Sequence, residues 1–285
     1  MSAPAVVEVP LLLGQLAVKR SVRALAEAGD QGRFYLQCFT SIPLAMRRYR
    51  VETYRTLADI TWGSGAIVVG GGTVGVMVLM SMFMGAAVGV QGYSGLDVLG
   101  LAPLVGFVSA YGNTRELAPL IAAIAFAAQV GCRYTAQIGA MRISEEIDAL
   151  EVMAIRSVPY LVSTRVVAAM TAILPLYLVG LVASYLATRL VVTEIFHQSG
   201  GTYDHYFFAF LSAKDIVLSV VKVVTFVGLV TLVHCSFGYN AKGGPEGVGV
   251  ATGRAIRASI ILIIVLDMLM TLAFWGFDPG VRISG

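Results

Sequence analysis

The stretch "GAMRISEEIDALEVMAIRSVP", residues 139–159, sets six charged side chains between two long apolar segments. Of the 285 residues of the chain, 57% are hydrophobic and 13% are charged, against roughly 25% charge in an ordinary soluble domain. So small a charged inventory cannot cover a water-exposed surface. Several apolar runs also exceed the roughly 20 residues needed to cross a bilayer, so the stretch is a polar connection between two crossings. It reads as a helix over 141–155. Met141, Ile143, Ile147, Leu150 and Ala154 recur near helical spacing, and Glu145, Glu146, Asp148 and Glu151 fall elsewhere around the axis. Ser144 is placed to cap its first turn, with Glu146 and Asp148 adding negative charge near the N-terminal end. One face is expected against the bundle and the acidic face toward a partner; the plainer alternative is a connector lying on the membrane surface. A short stiff helix between two spans transmits a displacement that a loose loop would absorb.

Upstream of the stretch, a first span is expected from about Trp62 to Val90 and a turn at 91–97, "QGYSGLD". The next apolar region, Val98 to Ile138, is too long for one straight crossing: about 40 residues of helix reach about 60 Å, twice the hydrocarbon thickness. Pro103, Pro119 and "YGNTRE" at 111–116 predict a broken or re-entrant entry before the helix descends to the charged stretch. Downstream, spans are expected at about Pro159–Val192, with a kink at Pro175, at about 214–236, and at about Val250–Phe277. An aromatic, interfacial stretch at 193–210 and a turn-rich loop at 238–247 separate them. The expected fold is thus all-α, a polytopic membrane protein with five transmembrane helices.

Residues 1–61 carry more basic than acidic side chains. Their short apolar groups, Leu12, Leu13 and Leu16 before Lys19, Arg20 and Arg23, and Ile42, Leu44 and Ala45 before "RRYR" at 47–50, suit helices lying in a membrane surface. With Arg142, Arg156, Lys242 and Arg254, these bases gather on one face, which the positive-inside rule makes cytoplasmic. Five crossings then put the N-terminus in the cytoplasm and the C-terminus outside. The division expected is an interfacial N-terminal part, 1–61, and a membrane-spanning part, 62–280, with the charged connector at about 140–155.

Other chemistries find little support. A net charge of +3, scattered among acids, does not suggest a nucleic-acid partner. Cys38, Cys132 and Cys235 are odd in number and lack metal spacing, and His197, His205 and His234 form no close ligand pattern. No apolar core follows closely on a basic start, so no cleaved secretory leader is expected. "GGGTVG" at 70–75 is followed by Val76, Met77 and Val78 where a phosphate-binding loop needs Lys and Ser/Thr. The pairs Gly71/Gly75 and Gly85/Gly89, each four apart, suit close helix packing instead. No catalytic, cofactor or metal site is expected.

Ionisable and polar groups at Arg115, Glu116, Gln129, Lys222 and Asp267 lie within apolar segments. An ionised side chain at a span's centre costs about 2.5–3.5 kcal/mol on insertion scales. Lys222 and Asp267 fall at similar depth from the outer ends of their helices and are expected to pair if those helices adjoin. A bundle-stabilising pair, a mobile role in gating or proton movement, and separate contacts with water or headgroups all fit. Arg115 and Glu116, being consecutive, point in different directions, and Glu116 suits either exposed backbone N–H groups at the helix break or the lining of a cavity within the bundle.

The run "TRELAPLIAAIAFAAQVGCRYTAQIGAMRISEEIDALEVM", 114–153, resembles the signature of MlaE/YrbE permeases, the membrane subunits of ABC-type lipid transporters that work with MCE proteins. The likeness rests on "RELAP", Gly131, the Gly-x-Met before the charged helix and "EEIDAL", and extends over about 35–280, including "VPYLVSTRVVA" at 158–168. It is nearest the actinobacterial YrbE branch, with the B-type member of a pair in view. The resemblance implies an N-terminal elbow helix and a cytoplasmic coupling helix that docks into a separate ABC ATPase dimer, which binds ATP and Mg. By it, Met141, Arg142, Ser144, Glu145, Glu146, Asp148, Leu150 and Glu151 form the ATPase-coupling set. A second permease subunit, an MCE hexamer and a lipid substrate (fatty acid, mycolic acid or phospholipid) are the implied partners, in the inner membrane. This chain has Gln129, Gln137 and Ala140 where the commonest family form has Arg, Glu and Thr, which favours a heterodimer of related permeases. Two competing readings remain: an ion-coupled secondary carrier using Lys222 and Asp267, and a scaffold that only anchors an MCE lipid tunnel.

Overall fold

The computed structural model describes residues 29, 31–62 and 72–276. Leu12 to Arg23, Gly71 and the segment beyond 276 lie outside the described residues. Among the described residues, five helices are long and apolar enough to cross a membrane: Gly72–Asp97, Ala102–Ile143, Val158–Ile195, Ala213–Tyr239 and Gly244–Trp275. The five expected spans are therefore present, with some boundaries moved. The first does not turn at 91–97 but stays helical to Asp97, and the chain reverses at Val98–Gly100, where Gly100 takes φ of 71°. Nothing in "QGYSGLD" forbids a helix, because its two glycines lower helix propensity without breaking the backbone hydrogen-bond ladder.

The second span, 42 residues long, bends its hydrogen-bonding register rather than its direction of travel through a loop. A 3₁₀ turn at Ala102–Leu104 precedes wide π-helical turns at Ser109–Leu117 and Ala127–Gly131. The expected broken entry is thus a helix with two widened segments. Pro175 sits inside the third span, which stays helical throughout Thr164–Leu190.

The fourth span lies at the centre, packed on the second, third and fifth, and the third is clasped by the first span and by the helix Arg50–Trp62. Close approach of the first and third spans depends on Gly85: a Cβ there would stand 2.2 Å from the backbone oxygen of Ser184. The packing role expected for that glycine is what the structure shows. The fifth span is peripheral. It buries Ala251, Ala255, Ser259, Ile263 and Asp267, one residue in four along a single stripe, and exposes Ile261, Ile264, Val265, Met268 and Leu269. Such an apolar outer surface suits hydrocarbon rather than water.

Helices 31–48 and Arg50–Trp62 lie beside the end of the bundle that carries the charged stretch. Cys38 and Ala45 are fully buried, Ser163 Oγ donates to the Cys38 carbonyl at 3.0 Å, and the Tyr49 ring meets Tyr160 edge-on at 5.2 Å. At the opposite end, Gly200–Phe210 forms a short helix against residues 105–108, with Tyr203 and Phe207 buried between them.

Candidate functional site

Two constellations stand out, one inside the bundle and one at its end. The first is built around Lys222, whose side chain is fully buried. Its ammonium has three N–H donors, and three directed bonds use them: to Arg115 O at 2.9 Å, Glu116 Oε2 at 3.0 Å and Thr271 Oγ1 at 2.7 Å. Asp267 Oδ1 stands 2.7 Å away as a fourth oxygen, in an ion pair with the ammonium. Thr271 Oγ1 in turn donates to Glu116 Oε1 at 2.8 Å.

The Arg115 carbonyl accepts from Lys222 for a covalent reason. In an α-helix it would accept from the N–H four residues on, and that residue is Pro119, which has none. Proline and the π-helical turn at Ser109–Leu117 together expose a backbone acceptor inside the bundle, and Lys222 takes it. The same turn sends the neighbouring side chains apart. Arg115 Nη2 donates to Asp215 Oδ2 at 3.0 Å, its guanidinium carbon lies 3.8 Å from the Tyr111 ring centre, and Trp275 Nε1 donates to Asp215 Oδ1 at 2.8 Å. Two cations face three carboxylates here, so the second, fourth and fifth spans are tied by one continuous polar cluster.

Sequence reasoning expects Lys222 with Asp267, and the structure brings them together; it also keeps Arg115 and Glu116 off one another. Gln129 stays apart, exposed on the π-helical turn Ala127–Gly131. Asp215, Thr271 and Trp275 were not singled out. Thr271 follows Asp267 by four residues and so shares its helix face, a signal present in the sequence. A second polar layer was also missed: Asn113 Nδ2 donates to Thr188 Oγ1 at 3.1 Å, Thr188 Oγ1 to Gly85 O at 2.7 Å, and Tyr203 OH to Ser109 Oγ at 2.9 Å.

The second constellation is the charged stretch. The single helix expected over 141–155 is two helices. Met141, Arg142 and Ile143 end the second span, and a separate helix runs Glu146–Val152. Ser144 does not cap it: its single hydroxyl proton is within reach of Glu146 Oε1 at 2.8 Å or Ala140 O at 3.1 Å, while Glu145 holds the N-cap position in left-handed conformation, φ 60°. Ser144 faces back because its backbone N–H still closes the last turn of the second span on Ala140 O.

The short helix is bracketed, since Ala154 beyond it also takes positive φ, 58°. Ile147 is fully buried and Met141 and Leu150 pack on the core, whereas Ile143 and Ala154, expected on the same stripe, are exposed. Glu145, Glu146, Asp148 and Glu151 are exposed. Arg142 Nη1 donates to Asp148 Oδ1 at 2.7 Å, and Ser157 Oγ donates to Glu151 Oε1 at 2.6 Å. The unit is anchored by one isoleucine and presents an acidic surface.

Comparison with known proteins places these features in a family. The profile of the family described as Permease MlaE matches residues 63–273. A probable ABC transporter permease protein of Rickettsia bellii is 30% identical over 90% of this chain and 95% of its own length. The chloroplast protein trigalactosyldiacylglycerol 1 of Arabidopsis thaliana is 30% identical over 71% of this chain and 58% of its own. A probable ABC transporter permease protein of Synechocystis is 28% identical over 71% and 77%.

Proposed function

This chain belongs to the MlaE permease family, and from that premise we propose that it moves lipid through the bilayer, driven by ATP hydrolysis that the short acidic helix receives from a separate subunit. As a multi-pass permease of an ABC transporter it has an ATPase partner. That ATPase is proposed to be a dimer binding ATP and Mg, docked on Glu145, Glu146, Asp148 and Leu150 with Met141, Arg142, Ser144 and Glu151 around them. The observation that carries this reading is the combination of a fully buried Ile147 with exposed acids on either side of it. A push on the acidic face is passed to the core through Ile147 and to the second span through Arg142–Asp148.

Lipid as the cargo is supported by the resemblance of 114–153 and by a relative named for a galactolipid. The same resemblance supports an MCE hexamer on the outer side, a second YrbE-type permease as partner and an inner-membrane location. The same likeness supports placement in the actinobacterial YrbE branch, with the B-type member of a pair in view. The charged stretch and helices 31–48 and Arg50–Trp62, the elbow in this reading, face the cytoplasm, with the C-terminus outside.

Replacing Glu145 and Glu146 together by Lys is expected to lower recovery of the ATPase in co-purification about tenfold or more while membrane insertion is unchanged. Undiminished association and lipid movement would sink the assignment. Disabling hydrolysis in the ATPase separates the competing functions. Lipid movement stops for an ATP-driven permease, continues for a scaffold, and needs no ATPase at all for an ion-coupled carrier.

A further inference from the structure

A cavity of about 390 Å³ lies between the helix Arg50–Trp62 and the part of the second span that approaches the charged stretch. Three buried donors without partners belong to residues around it: Arg133 Nε, Tyr134 OH and Arg165 Nε. Tyr134 and Arg165 are 2% and 9% exposed. Buried donors are nearly always satisfied, so three orphans on one cavity point to an absent acceptor. The Arg165 guanidinium sits 5.5 Å from the Tyr134 ring centre and spends one bond on Leu161 O at 2.7 Å, while Arg133 Nη2 donates to the Asp59 backbone oxygen at 3.1 Å. Both keep donors to spare.

The charge around the cavity selects the acceptor. Arg55, Arg133 and Arg165 stand against Glu52 and Asp59, with no ion pair between any of them among the described residues. One positive charge remains. That suits a phosphodiester, which carries one negative charge, better than free phosphate or a nucleotide, which carry more. Depth selects its source. The third span, 38 residues long, is about 57 Å, longer than the roughly 40–45 Å of a whole bilayer. Arg165, about 10 Å in from that helix's start at Val158, therefore lies at headgroup level.

We propose that this cavity holds the phosphodiester of a phospholipid headgroup, seated by Tyr134, Arg133 and Arg165 and walled by the helix Arg50–Trp62. The site is separate from the Lys222 cluster and requires only that the second and third spans cross the bilayer. A lipid held there would fasten the surface helix to the bundle at the end that carries the acidic helix.

The test uses the full-length protein in mild detergent, with added phosphatidylethanolamine followed by native mass spectrometry. Tyr134→Phe keeps the ring and removes the hydroxyl, and Arg133→Gln removes a partly exposed charge, so each is expected to fold. Retained phospholipid should fall severalfold in the first and about tenfold in the second, and added lipid should raise the melting temperature of wild type more than of either variant. Wild-type retention in both would overturn the proposal, leaving bridging water as the acceptor. Full displacement of lipid by millimolar inorganic phosphate would equally overturn it, in favour of a soluble-anion site.

Discussion

Lys222 concentrates the energetic risk of this fold. It is fully buried, and its oxygens come from two helices, the second and fifth spans, so truncating it strands the mostly buried carboxylate of Asp267 in a low-dielectric interior and takes the cation from the half-exposed Glu116. Breaking one partner of a buried ion pair costs about 3–5 kcal/mol, whereas replacing the set by apolar groups of similar size is often neutral. Lys222→Met alone should therefore lower thermal stability sharply. Lys222→Met with Asp267→Leu should recover part of the loss, and adding Glu116→Gln most of it. Melting curves of the three variants check this order; melting temperatures unchanged in all three, with lipid movement lost equally, would instead indicate a direct role in transport. Gly85 makes a second residue-scale prediction. Because a Cβ there meets the Ser184 backbone, Gly85→Ala should cost about 1–3 kcal/mol, read as a lower melting temperature. The sequence disclosed the Lys222–Asp267 pair through depth alone. It did not disclose Asp215 or Glu116 as partners, since those contacts depend on how the π-helical turn aims Arg115 and Glu116. Pro119, four residues after Arg115, was the readable sign that the α-helical ladder has no N–H to offer that carbonyl.

At the scale of elements, apolar length located the five crossings, because a bilayer demands about 20 apolar residues whatever the sequence details. Ends were harder to read. The helix to Asp97 and the division at Ser144–Glu145 are set by single φ choices at Gly100 and Glu145, and an Glu in left-handed conformation has no sequence signature. Two such residues, Glu145 and Ala154, bracket Glu146–Val152 and fix how the acidic helix leaves and rejoins the spans. The left-handed conformation costs a residue with a side chain about 1–2 kcal/mol. Ala154→Gly is accordingly expected to raise stability by up to about 1 kcal/mol, since glycine's larger unfolded-state entropy offsets part of the relief. Thermal unfolding of the variant checks it.

The whole molecule is a bundle with its polar contacts buried and its apolar surface outward, plus one acidic unit that the bundle anchors but does not cover. The peripheral fifth span contributes the carboxylate of Asp267 and the hydroxyl of Thr271 to the central cluster through a stripe of small residues. On the proposed function, a displacement entering at Glu146–Val152 would reach the second span, on which that helix packs, and through the charges on Lys222 the fourth and fifth. That displacement is proposed to come from ATP hydrolysis in another subunit. Its most direct measurement is site-specific disulfide cross-linking in native membranes, with Glu146→Cys paired against cysteines on the surface of the co-purified ATPase. The account predicts a cross-link whose yield changes between ATP-bound and nucleotide-free states and which arrests lipid movement once formed. Labelling of that cysteine from the outer face, or an active assembly in which no ATPase cysteine reaches it, would contradict it.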